Sequence, residues 1–278
     1  MDRLLLENDF LSLGVALQGA TILSLESLEH QQPILHPGEK AMFPMLPLAN
    51  RVADNCFRLH GRVVELPPGP ADARFFLHGD GWTRRWQVES GDRNQIVLTL
   101  RSRHDCGFDY LARLHYRLMG RRFFAELELT HVGVQPMVYG LGMHPFFHLT
   151  PETRVQFGAT GFWPEGELHL PLVWEGELTP QTDFAELKVP ENKWLNVGYS
   201  GWSGKAIIDS GAMKVQLSSG APYLMVFRMA DEPFICLEPQ SHAVNAHNMP
   251  GQPGLILLGE GDTTRLTLEI QVSPLGCG

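Results

Sequence analysis

Cysteine is scarce in these 278 residues: four in all, Cys56, Cys106, Cys236 and Cys277, dispersed and without a CxxC pair. That leaves no basis for a disulfide framework, a zinc site or redox chemistry, and buried thiols are the expectation. Blocks of Lys and Arg are absent as well, with 22 basic against 31 acidic residues and a formal net charge of −9. A nucleic-acid backbone or an anionic membrane surface is therefore not an expected partner. Long apolar runs are missing, and the stretch Met1–Glu7 has neither a basic n-region nor a long h-region. The expectation is a soluble, cytoplasmic protein with no membrane span. Helical periodicity is equally poor: no apolar 3.6-residue pattern exceeds about 11 residues, the ordinary mean helix length. The best short helical candidate is Thr182–Leu187.

Several catalytic signatures are missing too. There is no GxxxxGK[ST], no GxGxxG between a strand and a helix, no HExxH and no GxSxG. Phosphate cradles, zincin chemistry and a serine nucleophile elbow thus have no foothold, and Ser241 beside His242 is a neighbour pair rather than a triad.

What is present is punctuation and alternation. Gly (28) and Pro (20) are spread along the whole chain, as in many short strands joined by turns. In the segment from Phe123 to Thr130, residues Phe123, Ala125, Leu127 and Leu129 fall on one face of a period-2 pattern, the mark of a half-buried strand. The same period recurs in Ile96–Leu100, Met213–Leu217 and Leu266–Val272, and Ala206–Ile208 reads as the hairpin partner of Met213–Leu217 through Asp209–Ala212. No repeat and no composition shift divides the chain. The reading is all-β: one domain over residues 1–278, a large antiparallel β-sandwich with few short helices.

Four segments break the alternation and gather polar residues among Gly, Pro and aromatics: Pro47–Arg51, Leu77–Trp82, Gly142–Leu149 and Cys236–His242. Taken alone, Arg51 also reads as a strand-end surface cation and His78 as a core histidine. Gly79 and Gly81 would let a ligand approach the backbone closely, and Trp82 or Trp86 could support a pyranose ring. His144 and His148 are four apart, but Pro145 makes the segment extended rather than helical, and no metal is assigned. Glu238 follows the apolar run Phe234–Leu237, which carries it into a partly desolvated place before Pro239 ends the strand. A carboxylate there must be paired or functional, and burial raises its pKa toward the range a general base needs.

Together the four segments resemble the aldose 1-epimerase (galactose mutarotase-like) family, and within it a broad bacterial branch of aldose 1-epimerase-like proteins. Its Asn-Arg motif matches Asn50-Arg51, its His-Gly motif matches His78-Gly79, its His-Pro-aromatic motif matches His144–Leu149, and its Glu-Pro-x-Ser-His motif matches Glu238–His242. The resemblance implies the large antiparallel supersandwich of that family and cofactor-free interconversion of α and β anomers of an aldose. It implies His144 as the acid that protonates the ring oxygen and Glu238 as the base that deprotonates the anomeric hydroxyl. Arg51 and His78 are the implied holders of sugar hydroxyls, and Asn50, Trp82 and Asn196 are further candidate contacts. Where many members carry an Asp, the segment Leu195–Trp202 offers Asn196, an amide that bonds a hydroxyl but brings no charge. Two alternatives stand beside this reading. One is a hexose-phosphate or sulfosugar mutarotase with Arg74, Arg84 and Arg85 as its anion clamp; the other is a non-catalytic sugar-binding module. The sugar and the oligomeric state, monomer or homodimer, stay open.

Overall fold

Alternation in the sequence becomes sidedness in the sheets. The computed structural model describes residues 3–69 and 71–274; Cys277, and Met1 and Asp2 of the N-terminal stretch, lie outside them. One sheet has eight antiparallel strands with Thr263–Val272, Arg122–His131, Asp109–Met119 and Gln95–Arg103 as consecutive neighbours. Phe123, Ala125, Leu127 and Leu129 are fully buried, and their cross-strand partners Leu118, Tyr116, Leu114 and Ala112 are buried on the same face. This is the expected one-face burial of an antiparallel sheet, and cross-strand pairs of this kind are its stabilising unit. The predicted hairpin forms as Lys205–Asp209 against Lys214–Ser219.

The second sheet has eleven strands and runs from Arg3–Glu7 at one edge to Gly161–Trp163 at the other. Its centre holds Phe146–His148, Phe234–Gln240, Tyr223–Arg228 and Leu195–Ser200 as successive neighbours. One hydrophobic cluster joins the two sheets, with Ile235, Leu237, Val226 and Phe147 from this sheet meeting Leu114, Phe123 and Leu268 from the other. All residues of Phe234–Gln240 are buried, so this strand shows no alternation in its sequence although it has two distinct faces. Ile235 and Leu237 enter the core. Cys236, Glu238 and Gln240 share the opposite face by the two-residue period.

Two local expectations are corrected. Thr182–Leu187 is not helical: Thr179 and Thr182 bond each other's backbone and side chains in a turn, and Phe184 is drawn into the core against Phe157, ring centroids 4.9 Å apart. Local side-chain bonds and tertiary burial outcompete a short helix. Nor does Pro239 end its strand, which continues to Gln240. On one side the strand pairs Phe146–His148 through Cys236 and Gly142 through Gln240, leaving a gap beside Pro239 where no N–H is needed. Of the described cysteines, Cys236 is buried, Cys56 and Cys106 are half-buried, and all three are free thiols. Among the described residues no helix is long and apolar enough to cross a membrane.

Candidate active site

The same gap in pairing places His144. It lies between Gly142–Met143 and Phe146–His148, and its backbone N–H donates to Phe43 O at 3.0 Å. Its ring packs against both Phe43 and Phe146, with centroids 4.5 and 4.6 Å away. So held, His144 Nε2 stands 3.2 Å from Glu238 Oε1. Burial pushes the His144 imidazole down to about 3 and the Glu238 carboxyl up to about 8, since each charged form is deprived of water. Among the described residues Glu238 accepts one side-chain hydrogen bond, from Gln240 Nε2 at 3.2 Å, while His144 Nδ1 is buried without a partner. Between those two values the imidazole is neutral and the carboxyl keeps its proton, so the pair as a whole is uncharged.

Asn50 and His78 are locked to each other. Both have left-handed backbone, φ 60° and 57°, which non-glycine residues adopt only when surroundings demand it. His78 N donates to Asn50 O at 3.0 Å, and Asn50 N donates to His78 Nδ1 at 3.1 Å. Nδ1 is thus the acceptor, and the neutral ring carries its hydrogen on Nε2. Gly79 follows with φ 70°, and a Cβ there would collide with the Leu46 carbonyl oxygen. His242 acts from behind: its Nε2 accepts from Ala49 N at 3.0 Å and its Nδ1 donates to Ala243 O at 2.8 Å. It braces the Asn50-Arg51 turn and does not line the cavity.

Arg51 donates from Nη1 to Asn50 Oδ1 at 3.3 Å and leaves Nε buried without a partner. Among the described residues no carboxylate lies within ion-pairing distance of it. Its donors are available to a guest.

These side chains line a cavity of about 170 Å³, formed by Asn50, Arg51, His78, His144, Asn196 and Glu238 together with His169, Trp194 and Phe227. That is room for one small molecule, below the several hundred Å³ of drug-sized sites. Six of the seven residues expected at the site meet here. The seventh, Trp82, does not: it stacks on Phe43 at 5.0 Å, carries Lys40 Nζ over its ring at 4.4 Å and donates Nε1 to Leu77 O. Trp86 is core. The aromatic surfaces at the cavity are Trp194 and Phe227, perpendicular to each other with centroids 5.2 Å apart. His169, Trp194 and Phe227 escaped sequence reading because none belongs to a motif, although Trp194 immediately precedes the quoted Asn196 segment.

Three other expectations resolve on geometry. His148 stacks with His36 and is not among the residues lining the cavity with His144, so the two histidines do not share a site. Arg74, Arg84 and Arg85 do not line the cavity, and Arg84 Nε is 3.4 Å from Asp80. The donor atoms of His144, Cys236 and Glu238 lie within 4.8 Å of one another, the grouping among the described residues closest to a metal site. Burial and the nearby Glu238 raise the Cys236 thiol well above its ordinary value. A larger groove of about 470 Å³ beside Arg228 offers no free donor there, because Arg228 is spent on the carbonyls of Glu191, Glu232 and Phe234 and on Asn192 Oδ1.

Comparison with known proteins finds relatives over nearly the whole chain. The curated relative uncharacterized protein YphB of Escherichia coli K12 is 31% identical over 287 residues, covering 96% of this chain and 97% of that protein. A crystal structure of an Escherichia coli K12 chain superposes with a TM-score of 0.94 at 30% identity, covering 99% of both chains. The GalM/aldose epimerase homologue from Caenorhabditis elegans shares the fold with a TM-score of 0.84 at 15% identity, again over 99% of each chain. The sequence model of the aldose 1-epimerase family matches residues 2–271, and this chain, with its galactose mutarotase-like fold, belongs to that family.

Proposed function

We propose that the protein is an aldose 1-epimerase, a mutarotase that interconverts the α and β anomers of a free aldose, with His144 and Glu238 as its acid and base. The observation that carries this reading is the 3.2 Å contact of two buried groups whose pKa values are displaced toward the neutral pair. One proton on two groups is the stoichiometry the reaction needs. In ring opening, Glu238 takes the proton of the anomeric hydroxyl, the C1–O5 pair of electrons moves to O5, and His144 supplies the proton that O5 receives. A C1 aldehyde results. Rotation about C1–C2 and reclosure on the other face return the protons, with the two residues exchanging duties. The charge-separated form that starts this sequence differs from the neutral pair only by transfer of one proton.

Arg51 and the Nε2–H of His78 supply donors for sugar oxygens, Asn50 fixes Arg51, and Asn196 bonds a hydroxyl. Trp194 and Phe227 offer apolar faces for the C–H side of a pyranose. A sugar-phosphate substrate lacks support, since the three arginines that would clamp its anion do not line the cavity.

Anomer exchange measured by magnetisation-transfer NMR on glucose, galactose and a pentose panel, corrected for the spontaneous rate, tests the proposal. Wild type should accelerate exchange of at least one sugar, and Glu238→Gln should lower that acceleration about 10²–10⁴-fold with the fold intact. A Glu238→Gln variant with wild-type turnover would remove Glu238 from the mechanism. Sugar binding without acceleration would leave a binding module.

A further inference from the structure

Glu165 does not line the cavity, yet three residues that do are bound to it. Its Oε1 accepts from Asn196 Nδ2 and His169 Nδ1, and its Oε2 accepts from Trp194 Nε1 at 2.6 Å. The chain reverses through left-handed backbone at Leu168 and His169, φ 56° and 62°, which brings His169 back onto Glu165. Burial pushes the Glu165 carboxyl up, but the bonds from Asn196, Trp194 and His169 outweigh it and hold the group below its ordinary value. It is an ionised, acceptor-only group.

That single fact fixes the orientation of its three partners. Asn196 must turn its NH2 toward Glu165, leaving Oδ1 for the cavity. His169 must carry a hydrogen on Nδ1, which it spends on Glu165. Trp194 spends its one polar hydrogen and presents only its aromatic surface. Arg51, by contrast, has donors only. The cavity thus has an acceptor side and a donor side, and Glu165 creates the first.

Resting on the mutarotase reading, we propose that Glu165 is a positioning residue that sets hydroxyl specificity. By consuming donors of Asn196, His169 and Trp194 it leaves the Asn196 Oδ1 acceptor and an aromatic face for an uncharged sugar.

The test uses the best-turned-over aldohexose and its 2-, 3-, 4- and 6-deoxy analogues, with kcat and KM measured for wild type, Glu165→Gln, Glu165→Ala and Asn196→Ala. Gln puts an NH2 donor where one of the three donors now bonds, so Asn196 loses its fixed orientation. KM should rise about tenfold, the scale of one hydrogen bond, with kcat changed less than about threefold. One deoxy analogue should be penalised in wild type, and that penalty should vanish in Glu165→Gln and in Asn196→Ala alike. A structural role alone would move stability and leave the pattern of deoxy penalties unchanged. Unchanged penalties in folded Glu165→Gln and Glu165→Ala would overturn the proposal. Should wild type exchange no anomers, dissociation constants for the same panel replace KM: lost discrimination would still support Glu165 while the catalytic reading failed. A wild type that binds none of these sugars would overturn both.

Discussion

Two histidine–carboxylate pairs, each with a buried carboxyl group, behave in opposite ways. In the cavity, His144 meets Glu238 at 3.2 Å; one layer behind, His104 Nε2 meets Asp80 Oδ2 at 2.9 Å. Asp80 is 4% exposed and Glu238 1%, so burial alone cannot separate them. Donors do. Asp80 accepts from Ser102 Oγ at 2.6 Å, from the Tyr110 hydroxyl and from His104, with Arg84 at 3.4 Å. These bonds outweigh the burial that pushes the group up, and Asp80 sits below its ordinary value. Among the described residues Glu238 accepts a side-chain hydrogen bond only from Gln240, and burial wins. A carboxylate ringed by donors becomes a structural anchor, here tying the His78–Trp82 turn to the eight-stranded sheet. A carboxyl left nearly bare keeps a proton that it can give up.

The widest separation should come from neutralising each carboxyl in turn. The folded value of Glu238 lies above its unfolded value, so its stability contribution is fully present below about pH 4.5 and is lost as pH rises through about 8. Glu238→Gln removes that loss, and thermal unfolding at pH 9 should show the inactive variant outlasting wild type. Asp80 has the opposite sign: its folded value is depressed, its contribution is present above the unfolded value, and it disappears as pH falls through the folded one. Asp80→Asn sets an NH2 group against buried donors and should cost about 3 kcal/mol at neutral pH, read from denaturant melts. If both variants destabilise alike at pH 9, the comparison fails.

A smaller effect sharpens it. If the His144–Glu238 pair works with one proton, kcat/KM should hold its plateau through neutral pH and decline about tenfold per unit above about pH 8, where Glu238 ionises. The acid limb set by His144 lies near 3, far below that of an ordinary imidazole. A decline centred on 6.5 would mean that the pair is solvated and uncoupled.

The sequence made one of these two pairs legible and hid the other. Glu238 and His144 stood in motifs, and the apolar run before Glu238 already implied desolvation. Asp80 stood two residues from His78, but its role depends on Ser102, His104 and Tyr110, which reach it only when the sheets pack. The half-buried strands were readable because one face is wet and alternation survives, as in Phe123–Leu129. The strand that carries Glu238 is buried on both faces, so its sidedness had no periodic trace. Trp82 was expected at the cavity because it follows His78-Gly79, yet its ring is occupied by Phe43 and Lys40. Trp194, just ahead of the strand Leu195–Ser200, lines the cavity instead. Motif neighbours along the chain therefore gave the polar residues of the site more faithfully than its apolar wall.

The charge state of Glu238 is the point on which the account turns, and infrared difference spectroscopy between wild type and Glu238→Gln reads it directly. Across a pH titration, the account predicts a protonated-carboxyl band in wild type at pH 7, absent from the variant and disappearing with a midpoint near 8. A Glu238 that is already ionised at pH 7, with a midpoint near that of an ordinary carboxylate, would contradict it.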